Sequence, residues 1–507
     1  MSKQLAEATA ESIALMKTAQ ATNVPDLIAK NFTQPGNATT GIQGYDLKAP
    51  SLKLYPQLTP LRNMIARVGG GFSVQASWRA ITGINTNKVR AGVSEGNRNA
   101  TIQHTTADYL AAYRGIGLEK NVSFEADYSA QGFEDVKAVA VLQTLQSLMI
   151  AEEIILLGGN TSNALGTTPT PTTSTSTTGG TLAAATYSVI CVALGVQAYW
   201  DVAGLNNGQT GLSFDPTTAQ VPGVISRTNA DGSVDNFGGG SAQKSAAASQ
   251  ATTGSTSTIS ASVTAVRGAV AYAWYVGTAG SERLNQVTAI NSVLITAASN
   301  GGAQLASTLA ASDNSTSSLE FDGLFTFASK ASLNAYYNAL ATGTPGTGTT
   351  LTAGQGRVQE IDAALGAFYN KYRLQPTHVL LNFVQFQKIT NLVLGSANPN
   401  VQFTVDPYSP MEIVAGRNVA KYVSPITGEI INLMVHPNVP PGTIMFYTAT
   451  VPAYIDGVTN LAQVRTRREY YQIEWPLRTR RYEYGVYADE VLQHFFPPSL
   501  GVISNVA

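Results

Sequence analysis

From Gln131 to Leu157 the apolar residues Phe133, Val136, Val139, Leu142, Leu145 and Met149 recur at spacings of three and four, the period of one helix face. Glu134 and Asp135 stand where the helix dipole favours negative charge, and Gly158-Gly159 ends the run. At 1.5 Å per residue such a helix is roughly 40 Å long. That length predicts a spine across which other elements pack. Whatever precedes and follows must supply the partners for both of its ends.

The preceding residues do not build a core of their own. Residues 1–49 form an arm, helix-prone up to about residue 32. Leu5, Ile13, Leu15 and Met16 sit there among Ala, Glu and Lys, and Pro25 and Pro35 interrupt it. Residues 50–130 open with the short apolar anchors Leu52, Leu54 and Leu61. Phe72, Val74, Ala76 and Trp78 then alternate with Ser73, Gln75, Ser77 and Arg79, the period of a half-exposed strand. A polar stretch from Gly83 to Gly96 follows, and the chain returns through Thr101–Thr106 and Tyr109–Tyr113. The pattern predicts a long two-stranded arm with Lys88, Arg90, Glu95 and Arg98 at its tip. An isolated hairpin is marginal in water, so it must lie on something.

After the spine (residues 131–160), a Thr/Ser/Pro run over 158–181 reads as a linker. Residues 161–299 read as this linker followed by a separate β-sandwich. Between Leu182 and Ser281 only Asp201, Asp215, Arg227, Asp231, Asp235, Lys244 and Arg267 carry charge. Short β runs at Tyr187–Leu194, Gln197–Val202, Thr258–Val266, Ala269–Tyr275 and Val287–Ala297 are separated by turns such as Asn206-Asn207-Gly208. Trp274 is the expected core aromatic. Residues 300–441 are mixed: a strand at Leu319–Phe327, helices at Ser329–Leu340, Val358–Lys371 and Phe383–Leu394, and a buried strand at Pro376–Asn382. Residues 442–507 close with two paired strands, Tyr471, Ile473 and Trp475 on one face of the first. The whole is an α+β chain.

Charged residues make up 12% of the 507 positions and the net charge is −1. A surface this poor in charge suits burial against copies of itself, and the balance argues against a dedicated nucleic-acid binder. The single cysteine, Cys191, precludes an internal disulfide and reads as a small buried hydrophobe. The N-terminus has no apolar leader, and no uninterrupted apolar stretch of about 20 residues marks a membrane span. No nucleotide loop is present. Gly354-Gln355-Gly356 lacks the rest of a dinucleotide fingerprint and reads as a helix-entry loop. His104, His378, His436 and His494 are scattered, without metal-ligand spacing. A Cys191–His378 pair is the weak candidate for nucleophilic chemistry. Glu152-Glu153 read as a solvated or interface face of the spine. Arg465, Arg467, Arg468, Arg478, Arg480 and Arg481, interleaved with tyrosines, could meet nucleic-acid phosphate. Glu469, Glu474, Glu483, Asp489 and Glu490 alternate with them almost one for one, which favours ion pairs between subunits. No catalytic, metal or cofactor site is expected.

The order of these parts resembles the major capsid proteins of tailed double-stranded-DNA bacteriophages, the Hong Kong-phage-type fold shared with encapsulin shells. The matching parts are the arm, the extended loop (about Val68–Leu118), the spine of the peripheral domain and the axial domain (about Asn300–Pro441). Its helix–strand step is Gln359-Glu360-Ile361-Asp362 and then Pro376-Thr377-His378-Val379-Leu380-Leu381-Asn382; the peripheral strands (Ile444–Val491) close the order. Leu182–Ser299 departs from it and resembles the immunoglobulin-like insertions of some members. The resemblance implies hexamers and pentamers in an icosahedral shell and an extended loop lying on a neighbour. Inter-subunit contacts are then expected at Trp78, Arg79, Lys88, Arg90, Arg98, Arg467, Arg468, Arg478, Arg480 and Arg481. Expected partners are portal, scaffolding and decoration proteins, with packaged DNA touched non-specifically and no membrane. The location implied is the virion after synthesis in the host cytoplasm. Some members crosslink through a loop lysine; Lys88 alone does not establish that here. An encapsulin-like compartment is the alternative within the fold, and a secreted adhesin or a hydrolase with a β-module the alternative outside it.

Overall fold

The structure, a computed structural model, describes residues 58–83, 90–99, 101, 105–130, 135–203, 215–354, 356–396, 419–451 and 460–507. The N-terminal arm, Lys88, His104, Gln131–Glu134 at the expected start of the spine and the Asn206-Asn207-Gly208 turn lie outside the described residues. All described residues belong to one compact unit, Gln57–Ala507.

Helix α1 (Pro60–Met64) and strand β1 (Ala66–Val68) come first. Strands β2 (Gln75–Gly83) and β3 (Thr105–Ala112) form a hairpin, and β4 (Arg114–Ser123) leads through α2 (Phe124–Ser129) to the spine, α3 (Val136–Gly158). Then come β5 (Thr172–Ser176), β6 (Thr186–Leu194), α4 (Val196–Val202), β7 (Val224–Thr228) and β8 (Val234–Gly238). Strands β9 (Ala248–Ala251), β10 (Thr258–Ser262), β11 (Ala271–Gly277), β12 (Arg283–Thr288) and β13 (Ser292–Ile295) follow. The last third holds α5 (Leu324–Ser329), β14 (Tyr336–Ala339), the short pair β15 (Ala353–Gly354) and β16 (Arg357–Val358), and α6 (Gln359–Tyr372). After these come β17 (His378–Leu381), α7 (Phe383–Ser396), β18 (Lys421–Val423), β19 (Ile430–Val435) and β20 (Ile444–Tyr447). The chain closes with β21 (Ala462–Glu474), β22 (Arg481–His494) and β23 (Gly501–Ser504).

The spine starts because the Asp135 carboxylate accepts the Lys137 and Ala138 N–H groups, each at 3.1 Å, satisfying donors that the first turn leaves open. It ends at Gly158, where a side chain would collide with Val196. By length and composition this helix would pass as a membrane span, although Lys137, Gln143, Gln146, Glu152 and Glu153 interrupt its apolar residues. In the fold it lies instead on the sheet β1-β21-β22-β4. Leu148 packs there with Ile116, Val486 and Ala488, and Ala140 with Val122 and Tyr484. That sheet joins β1 and β4 to β21 and β22, so strands from early and late in the described chain meet beside the spine.

A three-stranded sheet, β13-β10-β5, and a four-stranded sheet, β12-β11-β6-β9, share a core of Cys191, Ile259, Tyr272, Trp274, Val293 and Ile295, among others. Trp274 sits in that core with its indole N–H on Thr288 Oγ1 at 2.9 Å. The alternate residues Ile190, Val192, Leu194, Ala271, Ala273 and Tyr275 face the other way and join the main core. The four-stranded sheet is therefore covered on both faces, which is why β6 reads as a continuous apolar run. The segment is fused into the body, not a separate appendage. The 158–181 linker also differs from expectation: Thr172–Ser176 is strand β5, paired with β10, and Leu165 belongs to the sandwich core. An edge strand contributes through its backbone, so its Thr/Ser composition gives no apolar signal.

The six-stranded sheet β14-β23-β20-β17-β19-β18 carries α6 and α7. Ile361, Leu365 and Phe368 of α6 pack with Val379, Leu381 and Phe446, as the helix–strand step predicted. Three local expectations fail. Leu319–Phe327 is not a strand: helix α5 occupies Leu324–Ser329, and all six of its residues are buried, so no periodicity distinguishes helix from strand. Ser329–Leu340 is not a helix but a 3-10 turn at Ala331–Leu333, a left-handed Asn334 (φ 56°) and β14. Gln197–Val202 is helix α4, with alternating burial that imitates a strand.

Candidate functional site

The hairpin β2–β3 has two unlike faces. Ala76, Trp78 and Ala80 point inward. Trp78 is almost fully buried, stacks on Tyr109 at 5.6 Å and donates its indole N–H to the His494 carbonyl at 3.1 Å. Ile81 N–H donates to the Phe495 carbonyl at 2.9 Å, and Asn334 Nδ2 to the Thr82 carbonyl at 3.0 Å. Trp78 is thus an anchor inside its own chain. The outer face carries the Arg79–Asp108 pair at 2.6 Å, both side chains about 70% exposed, and Leu110, 66% exposed. Phe72 and Val74, the first apolar members of the alternating run, are 95% and 71% exposed, because β2 begins only at Gln75. Arg90 and Arg98 are exposed beyond the hairpin; Lys88 lies outside the described residues.

Four of the arginines in and between the closing strands have partners within the chain. Arg467 pairs with Asp489 at 2.9 Å, with its guanidinium 5.8 Å from the Tyr113 ring. Arg468 lies 4.1 Å from the Tyr471 ring, and Arg480 pairs with Glu125 at 2.9 Å. Arg465 donates to the Gly70 carbonyl at 3.1 Å. Ser233 holds the Asp231 carboxyl below its usual range, with a smaller contribution from Arg478. Arg481, at the start of β22, is exposed.

Sequence reasoning missed a buried charge cluster. Glu152 and Glu153, expected on a solvated or interface face, are fully buried. Glu152 receives Arg62 Nε at 3.2 Å, together with Arg67 and the Tyr470 hydroxyl. Arg67 also reaches Glu490 at 2.7 Å, so Glu490 is not available to a neighbouring subunit. Burial and then Glu152 push the Glu490 carboxyl up, against the pull of Arg67. Glu153 accepts the Leu61 and Arg62 N–H groups at 2.8 and 2.7 Å, capping α1 from the spine. It also contacts His436 Nε2 at 2.6 Å. His436 Nδ1 accepts the Asn438 N–H at 3.1 Å, so the proton sits on Nε2 and donates to Glu153. The cluster ties α1 and β1 to the spine, the closing strands and the turn after β19. Two adjacent acids at the end of an apolar helix were the signal, since buried carboxylates require paired donors.

The remaining candidates do not converge. Cys191 lies in the sandwich core, where burial pushes its thiol up. His378 lies in the six-stranded sheet beside Thr377 Oγ1 at 2.9 Å. Gly354 and Arg357 form the β15–β16 turn that leads into α6. Among the described residues no group of three or more His, Cys, Asp or Glu side chains is placed to hold a metal.

No protein-family model and no curated protein matches this chain. Its fold is similar to several solved shell structures. The capsid of an empty GTA particle is 8% identical, over 94% of this chain and 96% of that one, with a TM-score of 0.41. The capsid of cyanophage A-1(L) is 11% identical, over 92% and 97%, with a TM-score of 0.40. The SrpI encapsulin of Synechococcus elongatus PCC 7942 is 7% identical, over 92% and 96%, with a TM-score of 0.35.

Proposed function

We propose that this chain is a structural shell subunit, the major capsid protein of a tailed double-stranded-DNA phage head, with no catalytic role. The observation that carries the reading is the β2–β3 hairpin. One face is fastened to its own chain through Trp78, while the other presents Arg79, Asp108 and Leu110 to solvent. A neighbouring copy would cover the outer face and the exposed Phe72 and Val74. Such a contact is heterologous and closes into rings of five or six. The outer-face pair and the exposed Arg90 and Arg98 would set the register between copies. Arg467 and Arg480 are neutralised within the chain, which fits weak, non-specific contact with packaged DNA. Portal, scaffolding and decoration proteins are the further partners of such a subunit.

The test is assembly of the full-length chain, followed by light scattering and negative-stain imaging. Concentration-dependent capsomers or closed shells are expected, and exchanging residues 84–104 for a short turn should give a folded subunit that no longer assembles. A monomer at every concentration, with the hairpin resistant to protease, would sink the proposal. Native shells loaded with an enzyme cargo in place of DNA would move the assignment to an encapsulin-like compartment.

A further inference from the structure

The buried cluster on the spine is short of positive charge. Glu152, Glu153 and Glu490 bring three carboxylates, each fully buried, against the two guanidiniums of Arg62 and Arg67. With every carboxylate ionised and His436 neutral, one negative charge would stand uncompensated where little water reaches it. That is costly enough for a buried group to take up a proton instead.

The hydrogen bonds leave one place for that proton. Glu152 Oε1 accepts from Arg67, and its Oε2 from Arg62 Nε and the Tyr470 hydroxyl. Glu153 Oε1 accepts from the Leu61 N–H and His436 Nε2, and its Oε2 from the Arg62 N–H. His436 Nδ1 is itself the acceptor of the Asn438 N–H, so the imidazole has no free nitrogen for a second proton. Glu490 Oε2 accepts from Arg67 at 2.7 Å, but its Oε1 is buried without a donor. Thr466, directly opposite on β21, has a buried hydroxyl that is likewise unpartnered; it is neutral and balances no charge. Arg114, opposite on β4, lines clefts together with Thr161. Among the described residues the ion pair of Glu490 is with Arg67 alone. Burial and then Glu152 hold the Glu490 carboxyl above its ordinary range in spite of Arg67 and Arg62.

We propose that Glu490 is a neutral carboxylic acid in the folded chain at neutral pH, with its proton on Oε1, and that this proton locks α1 and β1 to the spine. Arg67 is the hinge of the lock, since it joins β1 to Glu152 on the spine and to Glu490 on β22. Ionisation of Glu490 in alkali leaves two carboxylates competing for this one guanidinium and puts the uncompensated charge beside Glu152. The sign follows from proton binding. The unfolded carboxyl ionises near its ordinary value of about 4.3, so above that pH the folded state binds the extra proton. The stabilisation is complete below about 4.3 and shrinks as pH rises, until the folded carboxyl also ionises. The device does not depend on whether the chain builds a shell.

The experiment compares the full-length chain with Glu490→Gln, an uncharged mimic of the protonated acid, in denaturant unfolding across a pH series. Only the pH dependence of their difference is read, which cancels every other titrating group and any fixed packing cost of the variant. From about pH 4.3 upwards the variant should gain roughly tenfold per pH unit in its folded-to-unfolded ratio relative to the parent chain. At about pH 7 the parent should release about one proton more than the variant on unfolding, read by calorimetry in buffers of different ionisation enthalpy. Amide protection over residues 61–68 should fall in alkali in the parent and hold in Glu490→Gln. If that variant does not fold, Glu152→Gln decides. Relieved of the neighbouring charge, Glu490 should ionise at lower pH, and the infrared band of a protonated carboxyl should weaken at about pH 7. A pH-independent difference between the parent and Glu490→Gln would overturn the proposal, as would equal proton release. So would a variant that loses stability relative to the parent as pH rises, the signature of an ionised Glu490 paired with Arg67, or a carboxyl band that Glu152→Gln leaves unchanged. Alkaline amide protection that holds in both chains would overturn the lock.

Discussion

Replacing Glu153 by alanine should detach α1 from the spine. The carboxylate accepts three hydrogen bonds: Leu61 N–H at 2.8 Å, Arg62 N–H at 2.7 Å and His436 Nε2 at 2.6 Å, with the Glu153 and His436 side chains fully buried. Bonds to a charged acceptor contribute about 1.5–3 kcal/mol each, so a simple sum would reach roughly 5–9 kcal/mol. That is an upper bound, because Arg62 is part-exposed and water can reach a vacated acceptor site. Removing one partner of a buried ionic cluster costs about 3–5 kcal/mol, and that is the expected loss. Glu153→Gln keeps the volume and one acceptor oxygen and should cost less, about 1–2 kcal/mol. The assay is denaturant unfolding of the purified subunit, with amide exchange followed over residues 58–68. Leu61 and Arg62 should lose protection while β6 and β11 keep theirs. A cost below about 1 kcal/mol in both variants, with the two amides still protected, would refute the claim that this carboxylate caps α1.

The two faces of the hairpin should separate folding from assembly. Trp78→Ala removes a buried aromatic and its bond to the His494 carbonyl and should lower subunit stability by about 3–5 kcal/mol; an unchanged unfolding midpoint would contradict its inward role. Arg79→Glu, on the exposed face, should leave that midpoint unchanged and impair shell formation in a particle-counting assay. His494 is buried, and burial lowers its pKa to about 3, so the unfolded chain binds more protons between that value and the ordinary one near 6.5. Stability should therefore be fully present above about pH 6.5 and fall by about 1.4 kcal/mol per unit as pH drops towards 3. A denaturation series in which His494→Gln retains the full acid slope would exclude this residue as its source.

The sequence by itself determined the elements whose partners are local or whose pattern is periodic. The spine, the α6–β17–α7 step, the paired strands β21 and β22 and the Trp274 sandwich core all carry 3.6- or 2-residue periods with caps or turns beside them. Tertiary structure decided where burial is complete or comes from distant segments. Helix α5 is buried on every side, and β5 holds its place through backbone pairing with β10, so neither carries a legible pattern. The meaning of Glu152-Glu153 depends on Arg62, Arg67, Tyr470 and His436, residues 85 to 318 positions away for the bonds that define it. No local window contains those donors. A carboxylate's burial is set by what the fold brings to it, and here Arg62 and Arg67 from one side of the sequence and His436 and Tyr470 from the other close over the same helix.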